Sequence, residues 1–140
     1  MKAPRKLRGE EGAAAVEFAL IVGLLFVILF GIMEFGLAFF ELQNLRSSAR
    51  EGARAAAIGG TRTEVSQALV QGASGSLDNG YTSFTPGGSG PFCNTKGAEI
   101  KITLPISSLP ARVQAAFQVD IPFLPQIQLT PTISGSFRCE

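Results

Sequence analysis

From Phe18 to Met33 sixteen residues, FALIVGLLFVILFGIM, run without a charge or a side-chain hydrogen-bonding group. Charges return only singly, at Glu34 and Glu41, with FGLAFF between them. At a rise of 1.5 Å per residue, sixteen residues cover about 24 Å, short of the roughly 30 Å hydrocarbon core. A full crossing therefore takes in one glutamate: Glu17 if it begins near Ala13, Glu34 if it ends near Phe40. A buried core helix is the competing reading, but the remaining chain is small to enclose one. The pattern predicts a transmembrane helix over about residues 14–40.

The apolar stripe continues past the span. Leu42, Leu45, Ala49, Gly52, Ala53 and Ala56 keep helical spacing, with small residues in the later half. Arg46, Arg50 and Arg54 repeat every four residues and form a slowly drifting basic face. Such a face snorkels toward lipid headgroups or water, or docks an acidic partner surface. Gly59-Gly60 is a helix stop. The predicted helix thus covers 13–58, about 69 Å long, with an amphipathic second part over 41–58.

Residues 59–140 read as a small α+β head. Thr61-Arg62-Thr63-Glu64 has the spacing of a capping box, and Val65, Ala68, Leu69 and Gly72 mark a short helix. Residues 72–91, rich in Gly, Ser, Thr and Pro, predict a loop around one short strand, Tyr81–Thr85. PGGSGP lacks the GK[ST] of a phosphate loop, so it reads as a flexible connection. Ala98, Ile100, Ile102 and Leu104 alternate with Glu99, Lys101 and Thr103, a half-buried strand. Ile127, Leu129, Ile133, Gly135 and Phe137 form a second alternating run, interrupted by Pro131 as at an edge or a bulge. Between the two runs a short helix is expected from Pro110, carrying Leu109, Val113, Ala116 and Phe117.

Composition then removes function classes. Twelve Lys and Arg balance eleven Asp and Glu for a net charge of +1, so nucleic acid is not an expected partner. Without His the chain lacks the commonest general base and metal ligand. Its two Cys cannot by themselves make a structural zinc site. No enzyme, metal or cofactor is expected. Cys93 and Cys139 bracket the strand-rich part, and a disulfide there stabilises the head by about 4 kcal/mol in the chain-entropy model; two unpaired thiols are the alternative.

Lys2, Arg5, Lys6 and Arg8 precede the span, but Glu41, Arg46, Arg50 and Glu51 follow it where a signal peptidase needs small residues. The helix is therefore expected to persist. Four basic residues before it against three after give a thin positive-inside margin. Together with a paired Cys93–Cys139 on the long side, this places the N-terminus in the cytoplasm and the head outside.

At the helix start, Gly12-Ala13-Ala14-Ala15-Val16-Glu17-Phe18 sets a glycine before the apolar run and a glutamate five residues on. This resembles the processing site of type IV prepilins and pseudopilins, cut after the glycine by a membrane peptidase. GAAAVEFAL, GIMEFG and AREGARAAA together resemble the TadE-like family of the tight-adherence, or Flp, pilus system, most clearly over residues 9–58; the closing LTPTISGSFR is similar to its last strand. The resemblance implies a type IV pilin-like α+β fold: a long N-terminal helix and a small head with a short antiparallel sheet. It also implies a cleaved basic leader over 1–12, with Gly12, Ala13, Glu17 and Phe18 at the processing site. The implied partners are a prepilin peptidase, other pilins packed through the N-terminal helix, the inner-membrane assembly platform and lipid.

Cutting after Gly12 frees an α-amine on Ala13, one helical turn from Glu17. A charge buried at mid-bilayer costs about 2.5–3.5 kcal/mol on translocon scales and less near the end. A neighbouring subunit's amine offsets that cost and sets axial register; snorkelling of Glu17 is the alternative. Glu34 is the second acidic position available to a helix bundle, or it rests at the far interface. Two function classes remain: a processed pilus-assembly protein, and an uncleaved single-span anchor presenting a binding head.

Overall fold

The computed structural model describes residues 8–140, with side chains from Gly12 onward; Lys2, Arg5 and Lys6 lie outside the described residues. Helix α1 spans Arg8–Ala57, 50 residues and about 75 Å long. It begins earlier than Ala13 because no proline interrupts residues 8–12, and a helix already nucleated at Ala13–Ala15 extends backward cheaply. Its end comes where the glycines put it. Gly59 is left-handed at φ +85°, and the amides of Gly60 and Gly59 donate to the carbonyls of Ala55 and Ala56 at 3.0 and 3.2 Å. These are the two bonds of a Schellman stop.

Helix α2, Arg62–Gly72, starts from the expected capping box. The Thr61 amide donates to Glu64 Oε2 at 2.7 Å, and the Glu64 amide donates back to Thr61 Oγ1 at 3.4 Å. After the long loop come β1 (Glu99–Leu104), a 3₁₀ turn (Ile106–Ser108), α3 (Ala111–Ala116), β2 (Gln118–Val119), β3 (Ile127–Gln128) and β4 (Ile133–Arg138). β1 pairs antiparallel with β4, so Leu104 faces Ile133 and Ile102 faces Gly135; β2 and β3 form a separate two-stranded ribbon. The architecture is α+β, a long apolar N-terminal helix with a small head and short antiparallel sheets, consistent with a pilin-like protein.

Two expectations for the strands are corrected. Tyr81–Thr85 is not a strand; only Thr85 bridges to Thr103. The carbonyls of Thr82, Phe84 and Pro86 accept instead from the Arg62 guanidinium, so they are turned away from any ladder. Nor do residues 127–137 form one interrupted strand. They divide at Pro131, which has no amide to donate, into β3 and β4 in different sheets. The alternation also weakens toward the sheet's open end, where Ala98 and Phe137 are exposed.

The head's core is built on the second half of α1. Ala38, Leu42, Leu45, Ala49, Ala53 and Ala56 are buried against Val65 and Leu69 of α2, Ile102 and Leu104 of β1, Ile133 of β4 and Val113 and Phe117. Small residues let backbones meet. A Cβ added to Gly135 would lie 2.4 Å from the carbonyl carbon of Ala49, so β4 rests on the helix backbone itself. On the α2 side a Cβ at Gly72 would come within 2.9 Å of Ser48 Cα. There the buried Ser48 hydroxyl donates to the Leu69 carbonyl at 2.6 Å, which satisfies it without water.

Gly135→Ala should therefore force β4 off α1 and destabilise the head by about 1–3 kcal/mol. Gly36→Ala, where nothing lies within 4 Å, is the control. Urea unfolding in detergent reads both; an unchanged midpoint for Gly135→Ala would contradict the close approach. A second expectation concerns acid. Hydrogen bonds from the Thr61 backbone amide, then from its side chain, hold the Glu64 carboxyl below its usual range. A depressed folded-state pKa contributes stability above the unfolded value, near 4.3, that is lost as pH falls through the lower folded value. In Glu64→Gln this acid-dependent part of the melting curve should vanish, whereas Thr61→Ala, which keeps the backbone amide and loses only the hydroxyl, should reduce it in part.

Candidate functional site

The N-terminal motif lies on one exposed stretch of α1. Ala13 and Glu17 are one turn apart on the same side of the helix, and Phe18 projects beside them. Nothing lies within 4 Å of a Cβ built on Gly12, so the head does not shield the Gly12–Ala13 bond. Glu17 and Glu34 are not brought together: seventeen residues separate them by about 26 Å along the axis. Every residue of the most apolar eighteen-residue window of this helix is unburied by the rest of the chain. It is apolar and long enough to cross a membrane.

Glu34 occupies a different setting from Glu17. It is half-buried on a stripe with Gly31, Phe35 and Ala38, and the Ile121 side chain sits 3.6 Å from a Cβ built on Gly31. The head therefore reaches back along α1 as far as residue 31. Among the described residues the one ion pair is Arg112–Asp78 at 2.7 Å, on the head surface, so Glu34 meets no intramolecular cation. Glu41, by contrast, accepts from the buried Ser76 hydroxyl at 2.6 Å and ties the loop after α2 to the helix.

The basic face is outward. Arg50 and Arg54 are exposed and Arg46 is half-buried, on the flank of the stripe that carries Ala49 and Ala53. None of the three joins an ion pair within the described residues. No group of three His, Cys, Asp or Glu side chains that could hold a metal occurs among those residues.

Cys93 and Cys139 form a disulfide. The Cys139 amide donates to the Ala98 carbonyl and the Gly97 amide to the Cys139 carbonyl, both at 2.8 Å, while the Glu140 amide reaches the Ala57 carbonyl at 3.3 Å. The C-terminus is thereby closed onto the long loop and onto the end of α1. Two features escaped the sequence reading. Arg62 donates to four loop carbonyls, those of Thr82, Phe84, Pro86 and Gly88, and its guanidinium stacks 4.2 Å above the Phe84 ring. No spacing announces such a contact across twenty or more residues. The other is the tip of the β2–β3 hairpin, Ile121-Pro122-Phe123-Leu124-Pro125, whose signal was available: residues 121–137 contain no charge.

The described fold defines a class: a helix of membrane-spanning length bearing a disulfide-closed α+β head. Comparison narrows it. A family model described as TadE-like protein matches residues 12–54, which is the apolar helix from Gly12 through Arg54. The match covers less than a third of the chain and takes in Gly12, Ala13, Glu17, Phe18, Glu34, Arg46, Arg50 and Arg54, leaving the head outside it. No curated protein and no solved structure matches the chain. The TadE-like match associates this helix with the Flp, tight-adherence pilus system.

Two expectations follow for the head. Arg62→Ala removes charge-assisted bonds worth about 1.5–3 kcal/mol and should expose residues 82–90 to protease; limited proteolysis with mass mapping reads the cut. Cys93→Ser and Cys139→Ser should each cost about 2–4 kcal/mol, with equal effect. Thiol labelling of unreduced protein that finds both sulfurs free would contradict the bond.

Proposed function

We propose that this protein is a TadE-like pseudopilin or minor pilin, processed after Gly12 and required to assemble Flp-type pili used in surface attachment. The observation that carries the reading is the family match at residues 12–54. Its weight is increased by an exposed helix on which Gly12, Ala13 and Glu17 stand clear of the head. The helix anchors the chain in the inner membrane with its N-terminus cytoplasmic and its head outside, where Cys93 and Cys139 meet an oxidising compartment.

The chemistry is assembly, not catalysis by this chain. A prepilin peptidase acts on the Gly12–Ala13 bond, which lies in the second turn of α1; that turn must unwind first, and helix ends open at little cost. The new Ala13 amine and the Glu17 carboxylate of an adjacent subunit then neutralise each other in a low-dielectric bundle. Axial register follows, because a slip of one residue turns Glu17 by about 100° away from its partner. Arg46, Arg50 and Arg54 offer donors to acidic neighbours or to headgroups. The second reading, an uncleaved single-span anchor presenting its head to a ligand, differs in predicting a chain that keeps its first twelve residues.

Gly12 replaced by a bulky residue should leave the longer species on an immunoblot; normal trimming would reject processing at this bond. Glu17→Ala should leave insertion intact while pili become few or absent. The measurement is a pilus count by electron microscopy beside a membrane-fraction immunoblot. Wild-type piliation in Glu17→Ala would reject the amine pairing and favour the anchored-head reading.

A further inference from the structure

The β2–β3 hairpin ends in Ile-Pro-Phe-Leu-Pro, and its placement along α1 has a geometric consequence. The Ile121 side chain packs at Gly31 of the helix. Glu10 and Glu11 precede Gly12, so the apolar stretch begins no earlier than Gly12. An upright helix needs about 20 residues to cross the hydrocarbon core, which carries it to Gly31 at the earliest. Tilt requires more. If the crossing extends to Phe40, Gly31 lies about 14 Å below the boundary. In the first case the Ile121 side chain sits at the hydrocarbon boundary, and in the second it lies inside it.

The tip's chemistry fits that depth. Phe123 is 99% exposed and left-handed at φ +68°, a conformation costly for a bulky residue. No contact within the chain compensates for it, so the backbone is bent to turn this ring outward. Leu124 and Ile127 of the same hairpin are exposed, and so are Ile32, Met33, Leu37, Phe39 and Phe40 of α1. Pro122 and Pro125 carry no amide hydrogen, and the Leu124 amide donates to the Ile121 carbonyl at 3.0 Å. Fewer amides are thus left to desolvate, which lowers the cost of seating this tip at the hydrocarbon boundary, where its carbonyls still reach headgroup water.

We propose that the Ile121–Pro125 tip is a membrane wedge, inserted among the acyl chains of the leaflet on the head's side and fixing the head against the bilayer. The occupant of its apolar surface is lipid hydrocarbon, continuous with that around α1. The proposal rests on the membrane-spanning reading of α1. It adds that the head is not a free domain on a stalk but is seated before any subunit joins an assembly.

The chain contains no Trp, so single-Trp variants report position without background. Three full-length variants are reconstituted at low density in phosphatidylcholine vesicles: Phe123→Trp, Leu25→Trp within the span, and Gln67→Trp on the exposed side of α2. Emission wavelength and quenching by phosphatidylcholine brominated along its acyl chains are measured. The expected result is blue-shifted, quenched emission from positions 123 and 25, with position 67 red and unquenched. Quenching at 25 but not at 123 overturns the wedge and leaves the spanning helix standing. Absence of quenching at 25 overturns the spanning reading and the wedge with it. A photo-crosslinking residue at position 123 that yields a dimer instead of lipid adducts also overturns it, in favour of contact with a second copy.

Discussion

Direct contact between the backbone of α1 and the elements folded onto it is the constraint on which the rest of the head depends. Ala49 presents only a methyl and Gly135 of β4 has no side chain at all, so strand and helix meet main chain to main chain there. Gly72 against Ser48 does the same for α2. With helix and sheet this close, Leu45, Leu69, Ile102 and Ile133 bury completely in a head of modest size. Interiors packed to crystal-like density tolerate no compromise at such points. The long helix, apolar and long enough to cross a membrane, is therefore also the central element of the head's core.

That double role couples the two ends of the molecule. A rigid helix transmits its orientation to whatever is packed on it, and here α2, β1, β4 and the β2–β3 hairpin are all packed on it. The disulfide and the Glu140–Ala57 hydrogen bond close the far end of the head onto the end of the same helix. Arg62 holds the one long irregular loop by its carbonyls. For the proposed role in pilus assembly such stiffness matters, since a register set at Glu17 would be useful only if the head follows.

The two helical glutamates show how far environment separates like residues. Glu17 stands clear of the head, one turn from Ala13, and is open to a neighbour; Glu34 is half-covered by its own chain beside the segment that Ile121 contacts. A carboxylate at the first position is available for pairing between subunits. At the second it shares its surroundings with Ile121 and the hairpin, so any role in a bundle is played beside the head rather than along a bare helix.

Much of this was legible in the residues. Sixteen uninterrupted apolar positions can satisfy their backbone only as a helix when removed from water. Gly59-Gly60 ends that helix because only glycine takes the left-handed turn without penalty, and Thr61 with Glu64 starts the next. Those are local effects, set within one or two turns. What the sequence could not show depends on contacts between distant segments. The run 127–137 alternates throughout, yet its halves pair with different partners because Pro131 breaks the ladder and Gly135 must lie on Ala49. Residues 81–85 carry strand-forming side chains, but the carbonyls of Thr82 and Phe84 are taken by Arg62 and that of Tyr81 by Ser66, both from another element. The depth at which the hairpin tip meets α1 is set by the packing of the whole head, so the sequence determined that the helix is apolar, and only the tertiary structure decided how much of it the head would share.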